Sequence, residues 1–315
     1  MKIQGAIGRG LAMALAPLVL VGCAKETAPP TSPGTTTPPP ATSKLGTSSL
    51  NVTYCAPGGV AQLLDIYYPL QSATSLFPVI VYIHGGQLIM GNKGTAAPGT
   101  PAGEWRTAAT PRGYAVVSIN YRLGPTFKFP AMIEDANCAI RYLRANAATL
   151  SINPDRIGVT GTSSGGYLAA LVALTDSSAG FADNGGYPGV SSRVHAAVVE
   201  YGADMDPQQP PYSNAEQVGR QGAFLVPVMP SATVINHVTP GDPPFFFIHG
   251  ARDSLVDPQD NRDIDARLRS VGVPSSFQLV TNGVHGWDSE PAGPISPSWA
   301  QILQMELAFF DTYLK

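Results

Sequence analysis

The segment Gly161-Thr162-Ser163-Ser164-Gly165 joins Ile157–Thr160, which reads as a short β-branched strand, to Tyr167–Leu174, which reads as an apolar helix. No other feature constrains the chain as much. Glycines two residues before and two after Ser163 remove the Cβ atoms that would collide in so tight a turn. A serine on a sharp strand-to-helix turn projects its hydroxyl clear of the backbone, and G-x-S-x-G in that context marks a candidate nucleophile. The pentapeptide alone fits an ordinary turn equally well; the strand before it and the helix after it favour the nucleophile.

The pattern around this junction alternates between strands and helices. Gln62–Tyr68 reads as an edge strand ending at Pro69. Pro78–His84 and Tyr114–Tyr121 are continuous apolar runs, as in strands covered on both faces. Val194–Tyr201 and Pro244–His249 read as the sixth and seventh strands and Ser276–Thr281 as the last. Helices are expected over Trp105–Arg112, Pro130–Ala148, Asp260–Val271 and Trp299–Leu314. In the second of these, Ile133, Ala136, Ile140, Leu143 and Ala147 form one apolar face. Such alternation implies an α/β fold, a mainly parallel sheet with helices on both faces. Residues 206–242, between the sixth and seventh strands, are rich in Pro, Gln and Gly and read as a short lid or substrate-facing insertion.

The N-terminus has a different character. Lys2 and Arg9 precede an apolar stretch, Leu11–Val21, too short to span a bilayer comfortably. Leu20-Val21-Gly22-Cys23 resembles the lipobox of bacterial lipoproteins, which implies removal of residues 1–22, diacylation of Cys23 and anchoring on the cell envelope. An ordinary secretory signal cleaved nearby is the alternative. Residues 23–49 are dominated by Pro, Thr, Ser and Ala, cannot bury enough apolar surface to fold, and read as a semi-rigid linker. The folded catalytic domain is expected over residues 50–315. Of the chain's three cysteines this leaves Cys55 and Cys138, and an oxidising compartment favours their pairing. Cys138 as a small core residue is the alternative. A formal net charge of −3 with no basic stripe argues against nucleic acid as a partner.

A serine hydroxyl that attacks a carbonyl needs a base, an acid to orient the base, and donors for the oxyanion. In open parallel sheets such groups gather at the carboxyl ends of the strands. Of the five histidines, His285 follows the last strand in the glycine-flanked loop Asn282–Trp287 and is the candidate base. His249 ends a strand and is read as support for the loop after it, His195 begins a strand at the wrong end, and His237 lies in the insertion. Asp253 and Asp257 both follow the seventh strand; Asp253 is the favoured acid, while Asp257, just before Pro258, has the look of a helix N-cap. Backbone N–H groups of Gly85, Gly86 and Ser164 are the oxyanion candidates. The order Ser163, Asp253, His285 is that of α/β-hydrolases.

These residues, with Asn120-Tyr121-Arg122-Leu123, Phe129-Pro130-Ala131, Glu134-Asp135, Asn153–Gly158 and His285-Gly286, make residues 54–315 resemble the α/β-hydrolase superfamily. More narrowly, they are similar to carboxylesterases related to hormone-sensitive lipase and to feruloyl esterases. The resemblance implies an about eight-stranded α/β-hydrolase fold and an ester hydrolase that works through an acyl-enzyme without metal or other cofactor. It implies a small-molecule or polysaccharide-linked ester, of short or aromatic acyl groups, as substrate. Two departures tilt the likeness toward feruloyl or acetyl esterases. The oxyanion run is His84-Gly85-Gly86-Gln87 without a third glycine, and Thr162 stands where relatives of hormone-sensitive lipase carry an acid. A peptidase or acyltransferase using the same three residues, and a non-catalytic binding lipoprotein on the same fold, remain as rivals. Oligomeric state is left open.

Overall fold

The strand-to-helix alternation builds one sheet of eight strands in the order β1-β2-β4-β3-β5-β6-β7-β8. The computed structural model describes residues 41–96, 101–175, 181, 186–205, 229–287 and 293–315, all within one compact unit, Pro38–Lys315. Cys23, most of the linker and most of the 206–242 insertion lie outside the described residues. The strands are β1 Ser48–Cys55, β2 Gln62–Tyr67, β3 Phe77–Ile83, β4 Ala115–Ile119, β5 Ile152–Thr162, β6 Ala196–Glu200, β7 Phe245–Gly250 and β8 Ser275–Val280. From β4 to β8 neighbouring strands run parallel, whereas β1 and β2 are antiparallel to their neighbours.

One expectation needs correcting. Gln62–Tyr67 is an interior strand, because Ser48–Cys55 pairs on its outer side and itself forms the edge. The proline that ends β2 limits its length and does not determine its neighbours. β1 escapes sequence reading because half-exposed polar residues and two register shifts break its alternation. Strand β5 also begins earlier than the β-branched core of its sequence, at Ile152.

Among the described residues, five helices of nine residues or more cover the sheet: α1 Pro101–Ala109, α2 Ala131–Ala145, α3 Ser164–Leu174, α4 Pro258–Ser270 and α5 Trp299–Leu314. Alternate side chains of each strand face opposite layers. Val79, Val81 and Ile83 of β3 join Ile133, Ile140, Leu168, Leu171, Ile264 and Leu268 in the layer under α2, α3 and α4. Ile80 and Tyr82 join Trp105, Leu307 and Phe310 in the layer under α1 and α5. Helix α3 is buried along its whole length, which explains why it carries no polar face. Cys55 at the end of β1 is joined to Cys138 of α2 by a disulfide, with Cα atoms 6.4 Å apart. Among the described residues no helix is long and apolar enough to cross a membrane.

The parallel strands share one polarity, so their carboxyl ends line up along one rim. The loops after β3, β5, β6, β7 and β8 all open there and supply the site described next.

Candidate active site

Ser163 sits at the β5–α3 junction with φ 55° and ψ −124°, a left-handed backbone rarely adopted by a residue with a side chain. Packing holds it there. A Cβ at Gly165 would land on the carbonyl oxygen of Ile83, and one at Gly161 on the carbonyl of Gly165. The turn therefore tolerates glycine alone at both positions. The Ser163 N–H donates to the carbonyl of Glu200 at 3.0 Å, and its own carbonyl accepts from Tyr167 N–H at 3.0 Å.

The loops after β7 and β8 bring two further side chains to Ser163. His285 Nε2 lies 2.8 Å from Ser163 Oγ, and His285 Nδ1 lies 2.8 Å from Asp253 Oδ2. Asp253 has no side-chain exposure, whereas His285 keeps 19%. Asp253 Oδ1 accepts the N–H groups of Leu255 and Val256 at 2.9 and 3.0 Å. Oδ2 is shared with His249 Nε2 at 3.1 Å. Burial acts to raise the Asp253 pKa, but bonds from His249, His285 and Val256 outweigh it and hold the carboxyl below the usual carboxylate range. With Nδ1–H given to Asp253, His285 leaves Nε2 free to accept the serine proton.

His249 supports the acid from behind. It is fully buried; its Nδ1 accepts from Asn261 Nδ2 at 2.8 Å, which leaves Nε2–H to donate to Asp253 and to the Val256 carbonyl. Asp257 is elsewhere employed: its Oδ1 caps α4 by accepting Gln259 N–H at 2.8 Å. His195 Nδ1 accepts from Ile157 N–H at the opposite end of the sheet, and His237 bonds the Ser231 carbonyl.

Gly85, Gly86 and Ser164 border the same cavity of about 360 Å³ as Ser163 and His285. Gly86 has φ 115°, and a Cβ there would meet the backbone of Met90. His84 anchors this loop. It stacks on Tyr121 at 4.3 Å and donates from Nδ1 to the Gly85 carbonyl at 2.7 Å, while Tyr121 Oη–H donates to the His84 carbonyl. Burial lowers the His84 pKa, the Gly85 bond working against it. Ser164 Oγ accepts Leu88 N–H, tying the loop to α3. Met90, Tyr201, Ala203, Met205, Leu255 and Val256 complete an apolar wall. Tyr201 meets the His285 ring edge-on at 4.8 Å.

Sequence reading missed Tyr201, Asn261 and Glu200. The last had a visible signal, a lone glutamate ending the apolar run Ala196-Ala-Val-Val199; the other two had none.

The BD-FAE family pattern matches residues 64–268. The chain belongs to the BD-FAE family of α/β-hydrolases. Esterase LipQ of Mycobacterium tuberculosis is 31% identical over 247 residues, 74% of this chain and 56% of LipQ. LipM of the same organism, described as a probable carboxylic ester hydrolase, is 33% identical over 223 residues, 68% of this chain and 50% of LipM. The chain thus spans about half the length of these curated relatives. Among solved structures, a truncated carbohydrate esterase from gut microbiota superposes with a TM-score of 0.66 at 28% identity, over 87% of this chain and 98% of that one.

Proposed function

We propose that this BD-FAE chain is a serine carboxylic ester hydrolase. The observation that carries the reading is the continuous relay from Ser163 Oγ through the His285 ring to a buried Asp253. Ser163 Oγ attacks the ester carbonyl as His285 Nε2 takes its proton. The oxyanion that forms is met by backbone N–H groups of Gly85, Gly86 and Ser164. As the C–O bond breaks, His285 returns the proton to the leaving alcohol and an acyl-Ser163 ester remains. Water then attacks that ester, its proton passing to His285 and on to Ser163 Oγ as the acyl–Oγ bond breaks and the carboxylic acid leaves. Asp253 fixes the tautomer and balances the imidazolium charge at both stages.

A lining of methionine, alanine, leucine, valine and tyrosine favours neutral esters with short or aromatic acyl groups. The leaving alcohol is proposed to be a small molecule or a sugar hydroxyl, in keeping with the carbohydrate-esterase likeness. We further propose export and lipid anchoring through Cys23; the Cys55–Cys138 disulfide supports an oxidising compartment. The proposed division is then signal 1–22, linker 23–49 and catalytic domain from residue 50.

The test is turnover of acetyl, butyryl, longer-chain and feruloyl chromogenic esters, with fluorophosphonate labelling of Ser163. Ser163→Ala is expected to abolish both with little change in melting temperature. Folded wild-type protein that neither turns over nor labels would refute the reading in favour of a binding protein. Intact-mass analysis of the membrane fraction tests the anchor, since a mature N-terminus other than diacylated Cys23 excludes it.

A further inference from the structure

Glu200 ends β6 and is completely buried. Its Oε1 accepts the indole N–H of Trp105, from α1, at 3.1 Å. Its Oε2 accepts the indole N–H of Trp287, from the loop that carries His285, at 3.1 Å. An indole only donates, so two indoles converging on one side chain need two acceptor oxygens. A carboxylate supplies both, while an amide supplies one and confronts the other indole with a second donor.

The segment held in this way bears directly on the base. Gly286 and Trp287 have φ of 87° and 66°, and a tryptophan in the left-handed region persists only where its surroundings over-determine it. Tyr201 lies edge-on to both the His285 and Trp287 rings, at 4.8 and 4.9 Å. The backbone carbonyl of Glu200 also accepts the Ser163 N–H. One residue therefore reaches the supports of both reacting side chains.

The second buried acid nearby does not compete. Glu306 of α5 is fully buried, and neither carboxyl oxygen has a hydrogen-bond partner among the described residues. Burial, reinforced by repulsion from Glu200, raises its pKa well above the usual carboxylate range and so favours the neutral acid. Burial also pushes Glu200 up to about 7, with the two indole bonds opposing that rise and favouring the anion.

We propose that Glu200 is a positioning residue for the reaction: through the Trp287 indole it fixes the loop that aims His285 at Ser163. This rests on the ester-hydrolase reading. It goes beyond that reading by extending the machinery to the opposite layer of the sheet.

The experiment compares Glu200→Gln, Trp287→Phe, Trp105→Phe and the double variant Glu200→Gln/Trp287→Phe. It reads kcat and KM on a short-chain chromogenic ester, thermal stability, and the downfield proton resonance of the His285–Asp253 hydrogen bond. Misplacing a reacting group by about 1 Å can cost about 10²-fold. Glu200→Gln is accordingly expected to lower kcat about 10- to 100-fold, leave KM within about twofold, and broaden the resonance. Trp287→Phe is expected to repeat the kcat loss. Trp105→Phe, on a separate helix, is expected to keep kcat within about threefold. In the double variant the surplus donor is gone, so stability recovers relative to Glu200→Gln while kcat does not. Folded Glu200→Gln with unchanged kcat and resonance would overturn the proposal. So would kcat returning along with stability in the double variant, or equal kcat losses from Trp105→Phe and Trp287→Phe. Inactive wild type would refute the hydrolase reading itself, while the resonance still reports whether Glu200 orders the imidazole.

Discussion

Asp253→Asn exchanges one carboxyl oxygen for an amide nitrogen, and the surroundings dictate which one. Oδ1 accepts two backbone N–H groups, from Leu255 and Val256. Placing the amide nitrogen there would leave both facing a donor, and an unsatisfied buried donor costs about 1–3 kcal/mol. The nitrogen therefore turns toward His285 and His249, the two rings now on Oδ2. Facing an N–H, His285 adopts the opposite tautomer, with Nδ1 accepting and Nε2 protonated. A protonated Nε2 cannot take the Ser163 proton across the 2.8 Å contact. The expected loss in kcat is about 10⁴-fold, the scale found when the orienting acid of such a triad becomes an amide. The control is Asp257→Asn. Asparagine caps a helix as well as aspartate, so the bond to Gln259 N–H survives and activity is unchanged. Steady-state turnover of a chromogenic ester by both purified variants is the assay, with circular dichroism confirming folding. A loss from Asp257→Asn as large as that from Asp253→Asn, or Asp253→Asn keeping more than about a tenth of wild-type kcat, would refute the argument. Stability offers a second check. The Asp253 pKa is depressed on folding, so its contribution is present above its ordinary value of 3.8 and is lost as pH falls. The stability gap between wild type and Asp253→Asn is expected to narrow in acid.

Further outcomes follow from other parts of the molecule. Gly86→Ala must force a Cβ against the Met90 backbone at φ 115° and shift the loop proposed to hold the oxyanion; a kcat loss of about 10²–10³-fold in single-turnover kinetics is expected. Glu306→Met removes a buried carboxyl that faces Glu200, Tyr82 and Tyr201 and has no hydrogen-bond partner among the described residues. It is expected to raise stability by about 1–3 kcal/mol at neutral pH in thermal melts. Because the folded-state pKa of Glu306 is raised, wild type loses stability as pH climbs above its ordinary value of 4.5, and the gain from Glu306→Met is expected to shrink toward pH 4. The disulfide closes a segment with a sequence separation of 83, so Cys55→Ala/Cys138→Ala is expected to lose about 4–5 kcal/mol in denaturant unfolding.

Much of this protein can be read from short-range chemistry alone. The junction at Ser163 is legible because backbone sterics act over a few residues, and only glycine fits where Gly161 and Gly165 stand. Apolar runs such as Val79–Ile83 announce strands covered on both faces, and their alternation with helices implies a parallel sheet whose carboxyl ends form one rim. That rule sets aside His195, the glycine-flanked loop after the last strand favours His285 over the other histidines, and the Asp-Pro pair at 257–258 marks a cap. Other features depend on which elements become neighbours. The Ser163–His285 contact spans 122 residues of sequence, and the Glu200–Trp105 and Glu200–Trp287 bonds span 95 and 87. Nothing local distinguishes Ser48–Cys55 as the sheet's edge, and the lone glutamate that ends the apolar run at 196–199 stands out locally without showing which two indoles it accepts. Exclusion of water and convergence of donors arise only when layers from distant parts of the chain close over one another, so they are decided by packing and left unwritten in any short stretch of residues.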